Sequence, residues 1–321
     1  MAYSAGDTIL DDEYNAFANS SSSPFGYNHI AGTGSASDKL GLGQSDITTV
    51  SAGAAITASQ WNTLFTGIIN IANHTNVSTS VGSVSAGSTI EIVSALTTDL
   101  ASIATAVAAG SPAASALTTT SAQTTVTTSS EGWDNTATQE ISITWSNANE
   151  MRWFFNAGGK IRFTATATAS SVSAKDTAFV ALGQGFANLD IGSLATTRSA
   201  TGQSLTTNGL SNGFYDLSTG YTTIIKLTQN SYAAYDANTI EVSAKLNASP
   251  GSSTVMTIKM VAFDDAADTQ YTSGNVAGAA TDVKNTPKMV SAVAFINPTT
   301  NEGLSTAYTP SSSAQVSNST T

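Results

Sequence analysis

The sequence has no cysteine, and Lys, Arg, Asp and Glu together make up only 10 % of its 321 residues, against about 25 % in an ordinary soluble domain. Without cysteine there is no disulfide frame, no thiolate nucleophile and no cysteine zinc site. Basic residues are scarce, 11 against 22 acidic ones for a net charge of −11. That balance excludes a broad phosphate-binding surface, so no nucleic-acid partner is expected. No apolar run reaches the roughly 18 residues that a membrane span needs. The best stretch, IVSALTTDLASIATAVAA, is interrupted by Asp99 and several threonines, so no membrane association is expected. The opening MAYSAGDTILDDEYN carries acidic residues where an export signal has a basic start and an apolar run. No Gly-x-Ser-x-Gly elbow and no phosphate loop occurs, and Gly183-x-Gly185 is too short to count as one.

Hydrophobic residues at 40 % and aromatics at 7 % are enough to build a core, and the length suggests about two domains. Ser, Thr, Ala, Gly and Asn fill the space left by the missing charges. A neutral surface of this kind can be buried against another subunit with few charges to desolvate.

The first 110 residues hold a weak internal repeat. Residues 5–17, AGDTILDDEYNAF, and residues 52–64, AGAAITASQWNTL, share Ala-Gly-x-x-Ile followed by an aromatic–Asn pair, Tyr14-Asn15 and Trp61-Asn62. A third copy at 86–96, AGSTIEIVSAL, keeps only the opening. Each copy leads into a predicted helix. Asp11 or Asp12 is placed to cap the first, and Thr57 and Gln60 have capping-box spacing in the second. Trp61, Leu64, Phe65, Ile68 and Ile69 form one helical face, and Ile92, Ala95, Leu96, Leu100 and Ile103 form another. Between the first two copies runs a Ser/Gly-rich stretch of roughly 30 residues, long for a connection in a compact domain. It is expected either as a flexible loop or as an arm ordered on a neighbouring subunit, with Gly41, Gly43 and Gln44 marking close backbone approach.

After residue 137 the period changes to two. Ile141, Ile143 and Trp145 alternate, as do Ile161, Phe163, Ala165 and Ala167, then Ile240, Val242, Ala244 and Leu246, then Met256, Ile258, Met260 and Ala262; these predict antiparallel strands. MRWFFNAGGKIRF reads as a hairpin about an Asn-x-Gly-Gly turn, with Trp153 and Phe155 on one face. Residues 175–189 read as a short helix on the sheet. The expectation is a mainly-β protein: an N-terminal region of extended arms and short helices (1–110), a Ser/Thr-rich linker and first strand (111–137), an antiparallel β-sandwich (138–297), and a polar tail (298–321), either disordered or laid on a partner.

Little points to catalysis, so no enzyme activity and no cofactor is expected. His29 and His74 follow Asn in loop-like context and are expected as solvated or capping residues, not metal ligands. Asp11, Asp12 and Glu13 suit a helix N-terminus. Asp264, Asp265 and Asp268 could hold Ca²⁺ but lack the alternating spacing of a calcium loop, and solvated turn residues are the expectation. Trp145 and Trp61 read as core. Trp133 and Trp153 are the two tryptophans open to a sugar-stacking role.

The opening AGDTILDDEYNAFAN, the KLGLGQ segment, AGAAITASQWNTLFTGI and RWFFNAGGKIRFTATAT together resemble virion structural proteins of tailed phages. The resemblance is closest to the contractile-tail phages of marine and cyanobacterial hosts. It covers about residues 1–75 and 150–170 and rests on the order of the motifs more than on any one. It implies an N-terminal region that attaches or assembles, through Tyr14, Asn15, Gly41, Gly43, Gln44, Trp61 and Asn62. It also implies a β-rich body with a hairpin marked by Trp153, Phe155, Asn156, Gly158, Gly159 and Arg162. Its implied role is a tail, neck, collar or fibre component of the virion, built in the host cytoplasm. Its implied partners are copies of itself, as a trimer or ring, and other virion proteins. A receptor- or glycan-binding module and a capsid-decorating protein are the alternatives.

Overall fold

The structure is a computed structural model that describes residues 11–85, 93–128, 133, 135–168, 174–199, 205–230, 237–264 and 288–321. The chain forms two compact units, neither of them continuous in sequence. The first takes the chain up to Thr119, then Asn147–Gly159 and Ile296–Thr309; the second takes Thr120–Ser146, Lys160–Phe295 and Pro310–Thr321.

Helices make the first unit. They are α1 (Asp11–Asn19), α2 (Tyr27–Ala31), α3 (Ala58–Thr75), α4 (Val93–Ala108) and α5 (Ala148–Asn156). The α3 start follows from its sequence: the Thr57 side chain accepts from the Gln60 N–H at 3.3 Å, and the Gln60 side chain accepts from the Thr57 N–H at 2.7 Å. This reciprocal cap satisfies two donors that a helix start otherwise leaves open. The stripe of Trp61, Leu64, Phe65, Ile68 and Ile71 is buried, and Leu96, Leu100, Ile103 and Val107 of α4 join the same core. Burying side chains of this size contributes about 1.5–3 kcal/mol each. Strand β1 (Leu117–Thr119) closes the unit by pairing antiparallel with Ile296–Pro298. Residues 5–10 and 86–92, which open the first and third repeat copies, lie outside the described residues.

The second unit holds β2 (Thr124–Thr127), β3 (Thr136–Thr144), β4 (Lys160–Thr168), α6 (Ala174–Phe186), β5 (Asn188–Ile191), β6 (Thr196–Arg198), β7 (Leu205–Gly209), β8 (Thr222–Gln229), β9 (Thr239–Leu246), β10 (Val255–Phe263), most of β11 (Lys288–Pro298), and β12 (Ser312–Thr320). One sheet runs β1-β11-β4-β5-β6 with β2 also on β11; the other runs β12-β3-β10-β9-β8-β7. The alternation seen in sequence is realised in register. Ile258 of β10 lies opposite Ile141 of β3 and Ala244 of β9, and all three are buried. The buried Gln139 donates from Nε2 to the Val126 and Met289 carbonyls at 3.2 and 3.0 Å. One amide on β3 thus ties that strand to β2 and β11.

The mainly-β sandwich is not what forms. The chain is a mixed α/β protein, with six α-helices and two separate six-stranded sheets among the described residues. The MRWFFNAGGKIRF hairpin is the sharpest correction: its first half is α5, and only Lys160–Thr168 is a strand. The reason is local. The Asn147 side chain accepts from the Glu150 N–H at 3.0 Å and caps a helix start, and Met151, Phe154 and Phe155, spaced three and one apart, are all buried. Phe155 therefore does not share an exposed hairpin face with Trp153. Arg162 sits on β4, where it grips Asp190 of β5 with two hydrogen bonds of 2.7 and 2.8 Å; that bond raises its pKa further.

The Ser/Gly-rich stretch after α1 is neither loose nor an arm laid on a neighbour. Tyr27, Ile30, Leu40, Leu42, Ile47 and Val50 are buried in the first unit's own core. The polar tail likewise pairs within the chain, as β12 on β3.

Candidate functional site

Of the residues picked from the sequence, Gly41, Gly43, Gln44, Trp153 and Asn156 meet in the first unit at the Gly-x-Gly-Gln segment, whereas Tyr14, Asn15, Trp61 and Asn62 lie elsewhere in that unit and Arg162 lies in the second. Gly41 and Gly43 adopt φ values of 100° and 69°, the left-handed region open to glycine. This geometry folds the segment back over the end of α2. The N–H groups of Gly41, Leu42, Gly43 and Gln44 donate to carbonyls of Ile30, Ala31 and Gly32 at 2.8–3.1 Å. Orphan carbonyls at the helix end are thereby satisfied.

Two distant parts of the chain hold this segment from outside. From α5, the Asn156 side chain donates to the Gly41 carbonyl at 3.0 Å and the Trp153 indole donates to the Thr33 carbonyl at 3.0 Å. The buried Arg152 guanidinium donates to the Leu40 and Thr33 carbonyls. From residues 303–309, the Tyr308 hydroxyl donates to the Gly43 carbonyl at 2.9 Å. The Gln44 side chain donates to the Thr306 carbonyl at 2.9 Å and accepts from the Ser305 N–H at 2.8 Å. The Trp153 and Tyr308 rings meet at 4.8 Å over Gly43, where a Cβ would lie 2.4–2.5 Å from ring atoms of both. Gly158, at φ 82°, leaves no room for a Cβ beside Pro112, and Gly159 packs as closely on Phe154.

The aromatic–Asn pairs follow one structural rule. Tyr14 and Trp61 meet edge to face at 5.2 Å in the core. The asparagine after each pins a returning extended segment through both main-chain groups of one residue. Asn15 donates to the Val50 carbonyl at 2.9 Å and accepts from its N–H at 2.8 Å. Asn62 does the same to Val84, at 2.8 and 2.8 Å. A third pair that the sequence reading missed, Tyr27-Asn28, does it to Ile47, at 2.9 and 2.7 Å. The carboxamide stands in for a neighbouring strand, giving an unladdered segment one donor and one acceptor. Its signal was the dipeptide itself, hidden because Tyr27-Asn28 lacks the Ala-Gly-x-x-Ile frame. Burial and the nearby Asp46 carboxylate push the Tyr27 hydroxyl up to about 12. Arg152 and Tyr308 were also missed, since nothing local links either to residues 33–43.

His74 is not solvated. It is buried near the end of α3 with Nε2 at 3.1 Å from the Ala157 carbonyl, and burial lowers its pKa, with that hydrogen bond and Glu302 opposing in part. His29 is half-buried, with Nε2 at 3.0 Å from Asp38 and its ring stacked on Phe25 at 4.7 Å. Trp133 is buried against Phe179 at 4.9 Å, which removes it from any sugar-stacking role, whereas Trp153 stays partly exposed. Asp264 is buried; Asp265 and Asp268 lie outside the described residues. Among the described residues no group of three or more His, Asp or Glu side chains is placed to hold a metal ion, and no helix is long and apolar enough to cross a membrane. No protein family, curated protein or solved structure matches this chain.

Proposed function

We propose that this chain is a structural subunit that assembles with copies of itself and with neighbouring proteins, as a tail, neck, collar or fibre component of a tailed-phage virion. One observation carries the structural part of this reading. The distinctive polar side chains of the first unit, Asn15, Asn28, Gln44, Asn62, Arg152 and Asn156, are spent on main-chain groups of the same unit. Polar groups used in this way build a fixed scaffold; a chemical site would aim them together into a cleft open to substrate. The neutral composition supports the assembly part, because such a surface is buried with few charges to desolvate. The virion assignment rests on the order of motifs along the sequence.

Light scattering on the purified full chain tests self-assembly. A stable trimer or larger ring is expected, and a compact monomer at all concentrations overturns it. Quantitative mass spectrometry of purified virions tests the location: tens of copies or fewer fit a neck or tail, and hundreds fit a decorating protein.

A second reading, glycan binding, is favoured by the partly exposed Trp153 ring beside Tyr308. Binding on a glycan array that disappears in Trp153→Ala would support it.

A further inference from the structure

We infer that the polar pocket at the C-terminal end of α3 is a binding site for a neutral sugar unit, recognised through its hydroxyl groups. The inference goes beyond the assembly reading and does not depend on it. Neither Trp153 nor Tyr308 lines this pocket among the described residues.

The pocket has a volume of about 500 Å³, within the range of small-molecule sites. Its polar lining is Asn73, Asn76, Ser78, Thr79, Ser115 and Glu302, and all of these lie in the first unit. Their side chains make no hydrogen bond to the protein among the described residues. That sets them apart within the unit. Elsewhere even exposed hydroxyls fold back on the main chain: Thr63, Thr98, Ser102 and Thr105 each donate to the carbonyl four residues earlier, at 2.9–3.3 Å. Here two carboxamides, three hydroxyls and one carboxylate line one hollow with their hydrogen-bonding capacity unspent.

The main chain beneath them is fixed. Asn76, at φ 54°, ends α3 with its N–H on the Ala72 and Asn73 carbonyls, and the Val77 N–H donates to the Ala72 carbonyl at 2.9 Å. The Ala113 N–H donates to the His74 carbonyl at 2.6 Å, which moors residues 113–115 to the end of α3. Gly303, next to Glu302 and at φ 96°, lies so close to α3 that a Cβ would meet the Asn70 carbonyl oxygen at 2.2 Å. Three separate stretches of chain are thus held in place before a ligand arrives, and little ordering is left to be lost on binding.

The chemistry of the lining selects the ligand. Carboxamides and hydroxyls both donate and accept, and a carboxylate accepts; together they match a molecule that carries hydroxyls around a ring. An anionic group is disfavoured, because the pocket holds Glu302 and no basic side chain among the described residues. It also sits at the negative end of a helix, in a chain of net charge −11. A divalent cation is disfavoured by charge count: calcium affinity rises with the number of charged ligands, and this pocket has one carboxylate.

Saturation-transfer NMR on the full chain tests the site, with D-glucose, D-galactose, D-mannose and N-acetyl-D-glucosamine as probes. One sugar unit in a preformed polar pocket is expected to bind with a Kd on the order of 1 mM. At least one probe should therefore show transfer at concentrations up to about 50 mM. Glu302→Gln keeps the shape and removes the charge, and should weaken binding about tenfold or more. Asn73→Ala, exposed on α3, should weaken it about threefold or more. Thr66→Ala, exposed on α3 outside the pocket, should change nothing. Transfer from none of the four sugars overturns the proposal. Transfer that survives Glu302→Gln and Asn73→Ala but is lost in Trp153→Ala places the sugar on the rings and overturns it too. So does calorimetric heat from calcium chloride that Glu302→Gln abolishes while no sugar binds, which makes the pocket a cation site. Mass in solution is read separately, so failure here leaves self-assembly as it stands.

Discussion

Replacing Asn28 with alanine tests the reasoning about the aromatic–Asn pairs most sharply. Its carboxamide makes two bonds to the main chain of Ile47, at 2.9 and 2.7 Å, both out of solvent. Asn28→Ala deletes them and leaves the N–H and C=O of Ile47, itself 8 % exposed, with no partner. An unsatisfied buried group costs about 1–3 kcal/mol, so the pair should cost about 2–6 kcal/mol. Asn15 and Asn62 make the same bonds where they are only partly buried. Water can replace the lost partner there, and Asn15→Ala and Asn62→Ala, which each remove two bonds, should each cost about 1–3 kcal/mol, at the ordinary net value of about 0.5–1.5 kcal/mol per hydrogen bond. Asn28→Asp should resemble Asn28→Ala, because a carboxylate cannot donate to the Ile47 carbonyl. Urea unfolding followed by circular dichroism gives the ranking. Amide exchange gives the locality: at about 1.4 kcal/mol per factor of ten, Ile47 should lose at least about thirtyfold of its protection. If Asn28→Ala costs no more than Asn62→Ala, or the Ile47 amide keeps its protection, the asparagine is not what holds the segment.

Gly43→Ala should destabilise by about 2–4 kcal/mol, through ring overlap with Trp153 and Tyr308 added to left-handed strain. Gly53→Ala, at φ 77° with nothing within 4 Å of its Cβ, should cost only the strain, about 1–2 kcal/mol; denaturation midpoints of the two variants separate these contributions. Because burial holds the His74 pKa down, the unfolded chain takes up its proton first as the pH falls. The stability from this group is complete above about pH 6.5 and is lost progressively below it. His74→Gln should flatten that dependence, read as the difference in Tm between about pH 7.5 and about pH 5.5. A fragment of residues 1–119 should resist proteolysis far less than the same residues in the full chain, because α5 and residues 303–309 are missing from its core; equal resistance would contradict the three-part unit.

The parts of the fold legible in the sequence were those in which side chains carry the pattern. The α3 stripe behind its Thr57/Gln60 cap, and the alternation of β3, β4, β9 and β10, could be read directly because burial selects one face. The α5 segment was misread although its signals were present. Asn147 followed by Glu150 is a cap, and Met151, Phe154 and Phe155 make a helical face, yet three consecutive aromatics beside an Asn-x-Gly-Gly turn suggested a strand. β12 could not be read, since it has no alternating apolar face, and its place is set by main-chain pairing with β3 and by polar side-chain bonds from Ser313 and Asn318 to β2. The glycines and Gln44 were found, but Arg152 and Tyr308 were not. What links them to residues 33–43 is hydrogen bonding to carbonyls, which every residue possesses and no motif marks.

The discontinuity of the first unit has a consequence for how the protein is made. The N-terminal helices leave the ribosome well before α5, and residues 303–309 follow only after nearly the whole second unit. At about 5–20 residues per second, the gap between Thr119 and Thr309 is on the order of 10–40 seconds. Early in that wait the Gly-x-Gly-Gln segment has neither of the pieces that grip it, and after α5 is made it still lacks residues 303–309. The second unit, though later in sequence, can pack most of its strands first, and residues Ile296–Thr309 then complete the helices that were synthesised at the start.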